Sequence, residues 1–242
     1  YLGKKVRASA LPYREKDFYE KHKVDMKIGR RATKLNEKIN TIELDNGEKI
    51  TYDRLLIATG GDPFVPPING VDAEGVFTFT NYENAKQIEN FIERNEVKSA
   101  VVLGGGLIGL KTTEALMDLK ISTTVVELAD TILSTTFDAR ASRIFEEALR
   151  EQNCQVITQD TIDEIKTTGD KVSSVVLHSG LEMDCQMVIV AIGVRPNIEL
   201  AKDTDIKVER GIITDRKMRT SVNNIFAAGD CAEAKGGVIA II

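Results

Sequence analysis

VVLGGGLIGLKTTEAL, residues Val101–Leu116, sets an apolar run, three glycines and a helical pattern in immediate succession. The apolar run predicts a buried strand over 98–103, and the spacing after it predicts a helix over 107–119. Gly104, Gly106 and Gly109 fit G-x-G-x-x-G between a strand and a helix, the context in which that spacing carries weight. The first glycine allows a tight turn. The second lets a pyrophosphate approach the backbone, and the third lets the helix pack close to the strand. Gly105, Leu107 and Ile108 complete the loop. The helix that follows would offer free N–H groups and the positive end of its dipole to phosphates.

The next strand, 122–127 (STTVVE), ends in Glu127, eighteen residues after Gly109. A carboxylate there accepts hydrogen bonds from the hydroxyls of an adenosine ribose and repels a 2′-phosphate. Leu128, Ala129 and Asp130 supply no cation to offset that repulsion. The expected ligand is therefore NADH rather than NADPH. A ligand-free glycine-rich turn beside a surface Glu is the bland alternative; context, spacing and acid together argue against it.

Working outward, an amphipathic helix is expected over 139–152, with Ile144, Ala148 and Leu149 on one side, and a third strand over 154–158. This is βαβαβ, the unit of a parallel sheet. Segments 161–166, 171–178 and 181–185 are short strands separated by turn signals and suggest an antiparallel meander. The apolar segment 186–192 is expected to return to the parallel sheet. Upstream, strands are expected at 26–29, 32–36, 41–44, 49–52 and 52–58, and short helices at 15–22 and 83–94. Asp45-Asn46-Gly47 marks a hairpin. Residues 63–67 (PFVPP) read as an extended linker.

The bulk properties narrow the class. The chain has 242 residues, 42% hydrophobic and 29% charged, which fits a globular protein rather than a disordered one. No apolar run approaches the ~18 residues of a membrane span. The net charge of −5 argues against a nucleic-acid surface. Cys154, Cys185 and Cys231 form no CxxC pair, and the only histidines are His22 and His178. No metal site or disulfide framework is expected, and a cytoplasmic location is the default.

Two further stretches give the loop its context. Residues 52–60 read YDRLLIATG and residues 220–230 read TSVNNIFAAGD. With VVLGGGLIGL between them, the chain resembles the pyridine nucleotide–disulfide oxidoreductase family of FAD-dependent enzymes. The resemblance implies an α/β fold of two nested Rossmann-like three-layer domains, the NAD-binding domain inserted into a partial FAD-binding domain. The limits it suggests are 1–79 and 198–242 for the FAD-binding parts and 80–197 for the NAD-binding domain. It implies that Ala58, Thr59 and Gly60 lie against the FAD pyrophosphate and that Asp230, after Gly229, bonds the ribityl chain. Ile192 and Gly193, in IGVRP, would lie near the nicotinamide. Taken singly, each of these is also an ordinary turn or cap.

The family's first glycine loop and its C-terminal interface domain have no counterpart here, so the chain is expected to be a fragment of a larger flavoprotein. The resemblance implies hydride transfer from NADH to flavin and on to an acceptor such as a rubredoxin-like protein or a reductase module. The full-length protein would be a homodimer. Residues 127–138 and 63–71 look closer to the nitrite reductase and rubredoxin reductase type, although related NADH oxidases and CoA-disulfide reductases share much of them. The family commonly has Glu where Lys111 stands, two residues after the third glycine. The inverted charge of Lys111 puts the family's contact to the nicotinamide carboxamide in question; the bland alternative is that Lys111 points to solvent or pairs with Glu114. Cys231 is expected to be a small buried residue beside the cofactor, and Asp138 a helix cap. The rival functions are a nucleotide-binding module without flavin or turnover, and an S-adenosylmethionine or nucleotide-sugar domain.

Overall fold

The structure, a computed structural model, describes residues 2–234 and the strand at 237–238. The rest of the 236–242 tail lies outside the described residues. The chain divides into two compact units: unit 1 comprises 1–13 and 63–193, and unit 2 comprises 14–62 and 194–242.

In chain order, a short 3-10 turn at Ala8–Ala10 leads into α1 (Phe18–Lys21), β1 (Ala32–Asn36), β2 (Thr41–Leu44), β3 (Lys49–Thr51), β4 (Leu55–Ile57) and β5 (Gly61–Pro63). Next come β6 (Val76–Thr78), α2 (Tyr82–Asn95), β7 (Ser99–Leu103), α3 (Leu107–Asp118), β8 (Ser122–Glu127), α4 (Ala139–Glu151) and β9 (Gln155–Thr158). Strands β10 (Ile162–Thr168), β11 (Lys171–Leu177), β12 (Glu182–Asp184) and β13 (Met187–Val190) follow. The last elements are β14 (Val194–Pro196), α5 (Glu199–Lys202), β15 (Ile212–Thr214), β16 (Ile225–Ala227), β17 (Ala232–Ala234) and β18 (Gly237–Val238).

Unit 1 is built on a five-stranded parallel sheet in the order β6-β13-β7-β8-β9. Its strands are apolar on both faces because both faces are covered. Val101, Leu103, Val126, Val188 and Val190 pack on Ile162, Ile165, Val175 and Leu177 of the antiparallel meander β10-β11-β12. Ala100, Val102, Met187 and Ile189 point the other way, onto Ile88 and Phe91 of α2 and Leu116 of α3. The result is three layers: helices, parallel sheet, meander. Strand β13 sits in the parallel sheet, as its apolar run suggested. Strand β6 was not foreseen. Its pairing with β13 draws residues 63–79 into unit 1, so the compact unit begins earlier than the expected limit at residue 80.

Unit 2 holds smaller sheets: β1-β2-β3, the parallel pair β4-β16, the pair β5-β14, and β15-β17-β18. Leu35, Ile57, Ile206, Ile212, Ile225 and Ala227 form its core. The hairpin forms at Asp45-Asn46-Gly47, where Gly47 has φ +82° and the Asn46 side chain accepts from Glu48 N. Two expectations fail. Residues 26–29 form no strand, and Met26 and Ile28 are exposed rather than paired. Helix α4 is turned the other way: Ile144 and Phe145 are exposed, whereas Ser142 and Glu146 are its buried residues. Leu149 alone of the expected face is partly buried, against Val125, Ile132 and Cys154. Glu146 accepts from Ile132 N on the inward side, a polar contact that apolar periodicity does not register. Among the described residues no helix is long and apolar enough to cross a membrane.

Candidate functional site

In unit 1 the glycine loop lies at the carboxyl end of β7, where the chain leaves the sheet for α3. Neighbouring β8 and β13 lie on opposite sides of β7, so loops from the two neighbours diverge here. Such a switch point is where open parallel sheets bind ligands. The loop after β13 carries Ile192 and Gly193, and Ala191 N donates to Leu103 O at 2.8 Å. The structure thus brings Gly104–Gly109, Glu127, Ile192 and Gly193 to one end of one sheet.

The glycines have different physical reasons. Gly104 has φ +113°, and a Cβ on it would lie 2.4 Å from Ala191 O. A Cβ on Gly109 would lie 1.9 Å from Gly104 O, so only glycine lets α3 approach the turn. Gly106 is unlike both. Its φ is −78°, open to any residue, and a Cβ there would meet nothing within 4 Å. Neither packing nor backbone demands glycine at 106.

Helix α3 differs from its neighbours at its start. Asn81 caps α2 by accepting from Asn84 N, and Asp138 caps α4, as expected, by accepting from Ala141 N at 2.9 Å. The cap of α3 is Gly106, with no side chain to serve the first-turn amides. Those donors and the helix dipole are left for an anion.

Glu127 ends β8 beside the loop. Its carboxylate accepts from Gly105 N at 2.6 Å and from Ala129 N at 2.8 Å. Each carboxylate oxygen can accept again, so hydroxyl donors can still bind. Leu128, next in the chain, is 70% exposed, and Ile108 and Ile192 are each 38% exposed. An apolar rim therefore borders the loop.

Lys111 pairs with Glu114 at 2.9 Å, as the bland alternative has it. Lys5 also reaches Glu114, at 2.9 Å, and Asp118, at 2.7 Å. Lys111 first and Lys5 second hold the Glu114 carboxyl down at about 2. Lys5 is raised by the same partners, Asp118 foremost.

In unit 2 a second group assembles. Strands β4 and β16 run parallel, pairing Leu55–Ile57 with Ile225–Ala227. Ala58, Thr59 and Gly60 therefore emerge beside Ala228, Gly229 and Asp230, and Ala228 N donates to Ile57 O at 3.0 Å. Gly60 and Gly229 have φ +68° and +78°, with open space where a Cβ would point. Asn197, which no sequence signal marked, ties down the first turn. It donates from N to Gly60 O at 2.9 Å and accepts from Thr59 Oγ1 at 2.7 Å.

Cys231 is fully buried and its thiol donates to Ile57 O and Ala228 O, at 3.5 and 3.2 Å. Burial pushes Cys154 up to about 11 and Cys185 up to about 12. The Cys154 and Cys185 thiols are therefore poor nucleophiles at neutral pH. His22 ends α1 against the Phe18 ring, and exposed His178 pairs with Asp163. Among the described residues no group of side chains could hold a metal ion.

Comparison with known proteins gives the chain's relatives. The chain is 38% identical to an NADH oxidase of Methanocaldococcus jannaschii, over 82% of this chain and 44% of that protein. It is 31% identical to a nitrite reductase [NAD(P)H] of Bacillus subtilis, over 91% of this chain and 27% of that one. It therefore spans half or less of these relatives. An NAD-dependent persulfide reductase from A. fulgidus superimposes with a TM-score of 0.89 at 34% identity, covering 96% of this chain and 44% of the other. A ferredoxin reductase from Rhodopseudomonas palustris gives 0.92 at 25% identity, covering 100% and 60%. The family model for pyridine nucleotide-disulphide oxidoreductases matches residues 4–240, and the chain belongs to that family.

Proposed function

We propose that this chain is the dinucleotide-binding core of an FAD-dependent NADH oxidoreductase. The observation that carries the reading is Gly106. The fold leaves that position unconstrained, so the space in front of it is the ligand's. The uncapped start of α3 and the carboxylate of Glu127 supply what a pyrophosphate and a ribose need. No described cation stands at 128–130 to accept a 2′-phosphate, which favours NADH.

In unit 2, Ala58–Gly60 and Gly229–Asp230 suit the flavin nucleotide. Their positive-φ glycines leave open space at the turns, and Asp230 provides an acceptor for a polyol chain. The nicotinamide and flavin supply the hydride chemistry when bound; the protein binds, orients and excludes water. Ile108, Ile192 and Leu128 give the NADH site apolar walls. We assign the electron acceptor to a redox protein or a reductase module. One similar solved structure is a putidaredoxin reductase in complex with putidaredoxin, at 29% identity and TM-score 0.89.

A second reading, a module that binds NADH without flavin, is favoured by one observation. Parallel strands are normally covered on both faces, yet Leu56, at the centre of β4, is 59% exposed.

The test is a visible absorption spectrum of the purified chain before and after anaerobic NADH. Flavin bands that bleach are the expected result. A colourless chain that still binds NADH would select the second reading. A chain that binds neither would overturn both.

A further inference from the structure

Helix α4 has an inverted face, and its buried carboxylate needs a reason. Glu146 is 7% exposed, while Ile144 and Phe145 of the same helix face solvent. Burying a carboxylate is costly unless it is paired and hydrogen-bonded. Glu146 has both kinds of partner: it accepts from Ile132 N at 3.3 Å and from Arg150 at 3.3 Å, one helical turn on.

Ile132 lies in the 128–137 loop, which folds back over the glycine turn. Its side chain is fully buried, with Cγ2 2.7 Å from where a Cβ on Gly105 would stand. The next residue, Leu133, donates from N to Gly105 O at 2.9 Å. Gly105 N in turn donates to Glu127. Gly105 is thus gripped at its N–H by Glu127, at its carbonyl by Leu133 and at its α-carbon by Ile132. Gly106, the uncapped start of α3, comes next.

We infer that Glu146 is a positioning residue for the nucleotide loop: it fixes Ile132 and Leu133, and through them the Gly105 peptide that aims the α3 amides. It touches no nucleotide itself. This deepens the NADH assignment and rests on it.

Three variants separate the roles. Glu146→Met keeps the shape and removes the acceptor. Glu146→Gln keeps an oxygen for Ile132 N. Arg150→Ala removes the ion pair alone. Each is measured by NADH titration, and by amide hydrogen exchange at Gly105 and Leu133 without nucleotide. Glu146→Met is expected to weaken NADH roughly tenfold, the scale of one buried hydrogen bond lost, and to speed both exchanges. The Gln variant is expected to stay near the parent in both, and Arg150→Ala, which leaves the carboxylate unpaired but keeps its bond to Ile132 N, near the parent in NADH affinity. Parent-like affinity and exchange in Glu146→Met would overturn the inference. So would loss of its fold, because the contact would then hold the domain rather than the loop. A parent chain that binds no NADH would sink the cofactor assignment, while the exchange rates would still judge Glu146.

Discussion

The glycine turn of unit 1 and the paired turns of unit 2 differ in what holds them. In unit 1 the turn is packed from several sides: Gly109 lies against Gly104, Gly104 against Ala191, and Gly105 against Ile132. It sits on a sheet of five strands with both faces covered. In unit 2, Gly60 and Gly229 follow a sheet of two strands among the described residues, and a Cβ on either would meet nothing within 4 Å. Their glycines answer to backbone conformation, those of unit 1 mostly to close approach. The difference teaches that one glycine turn is fully supported within its unit. The other is held by its backbone and by Asn197.

The hardest test of that contrast is Gly109→Val. Its Cβ would collide with backbone that cannot yield, and stability is expected to fall by about 3 kcal/mol, checked by urea denaturation. A parent-like midpoint would mean that α3 can shift, and the close approach would lose its meaning. Gly106→Val, three residues away, is expected to keep the midpoint and lose NADH binding. If calorimetry finds NADH bound as in the parent, the open space at 106 is not the ligand's.

Glu127→Arg is expected to weaken NADH by more than about tenfold, the scale of a lost charged hydrogen bond, and to improve NADPH. Part of the loss follows from the loop, since the variant also releases Gly105 N and Ala129 N. NADPH binding the parent as well as NADH does would refute the assignment. The smallest effect is expected in unit 2. Gly229→Ala should cost about 1 kcal/mol from its left-handed backbone and no clash, read as a shift in thermal midpoint. A cost as large as that of Gly109→Val would show that unit 2 packs this turn as tightly as unit 1 does.

Much of unit 1 was legible in the chain. Strand β7, the glycine turn, α3 and β8 follow from an apolar run, three spaced glycines and a β-branched segment, all local signals. The hairpin at Asp45-Asn46-Gly47 and the Asp138 cap are equally local, since each is satisfied within three residues. Less legible was α4. Its periodicity pointed Ile144 and Ala148 inward, but Glu146 and Ser142 are buried instead. Strand β6 was missed because three residues carry little pattern, and its partner β13 is more than a hundred residues on.

The sequence by itself determined the class of the fold and the order of its three motifs, because turn chemistry and hydrophobic spacing act between near neighbours. It also marked Glu127 by its distance from Gly109. Only the tertiary structure decided that Lys111 pairs with Glu114, that Asn197 holds Thr59 and Gly60, and that Gly106 faces open space. These depend on which loops the sheet brings together at its carboxyl ends. Sheet order is set by burial summed over many strands, and no short stretch of chain contains that sum.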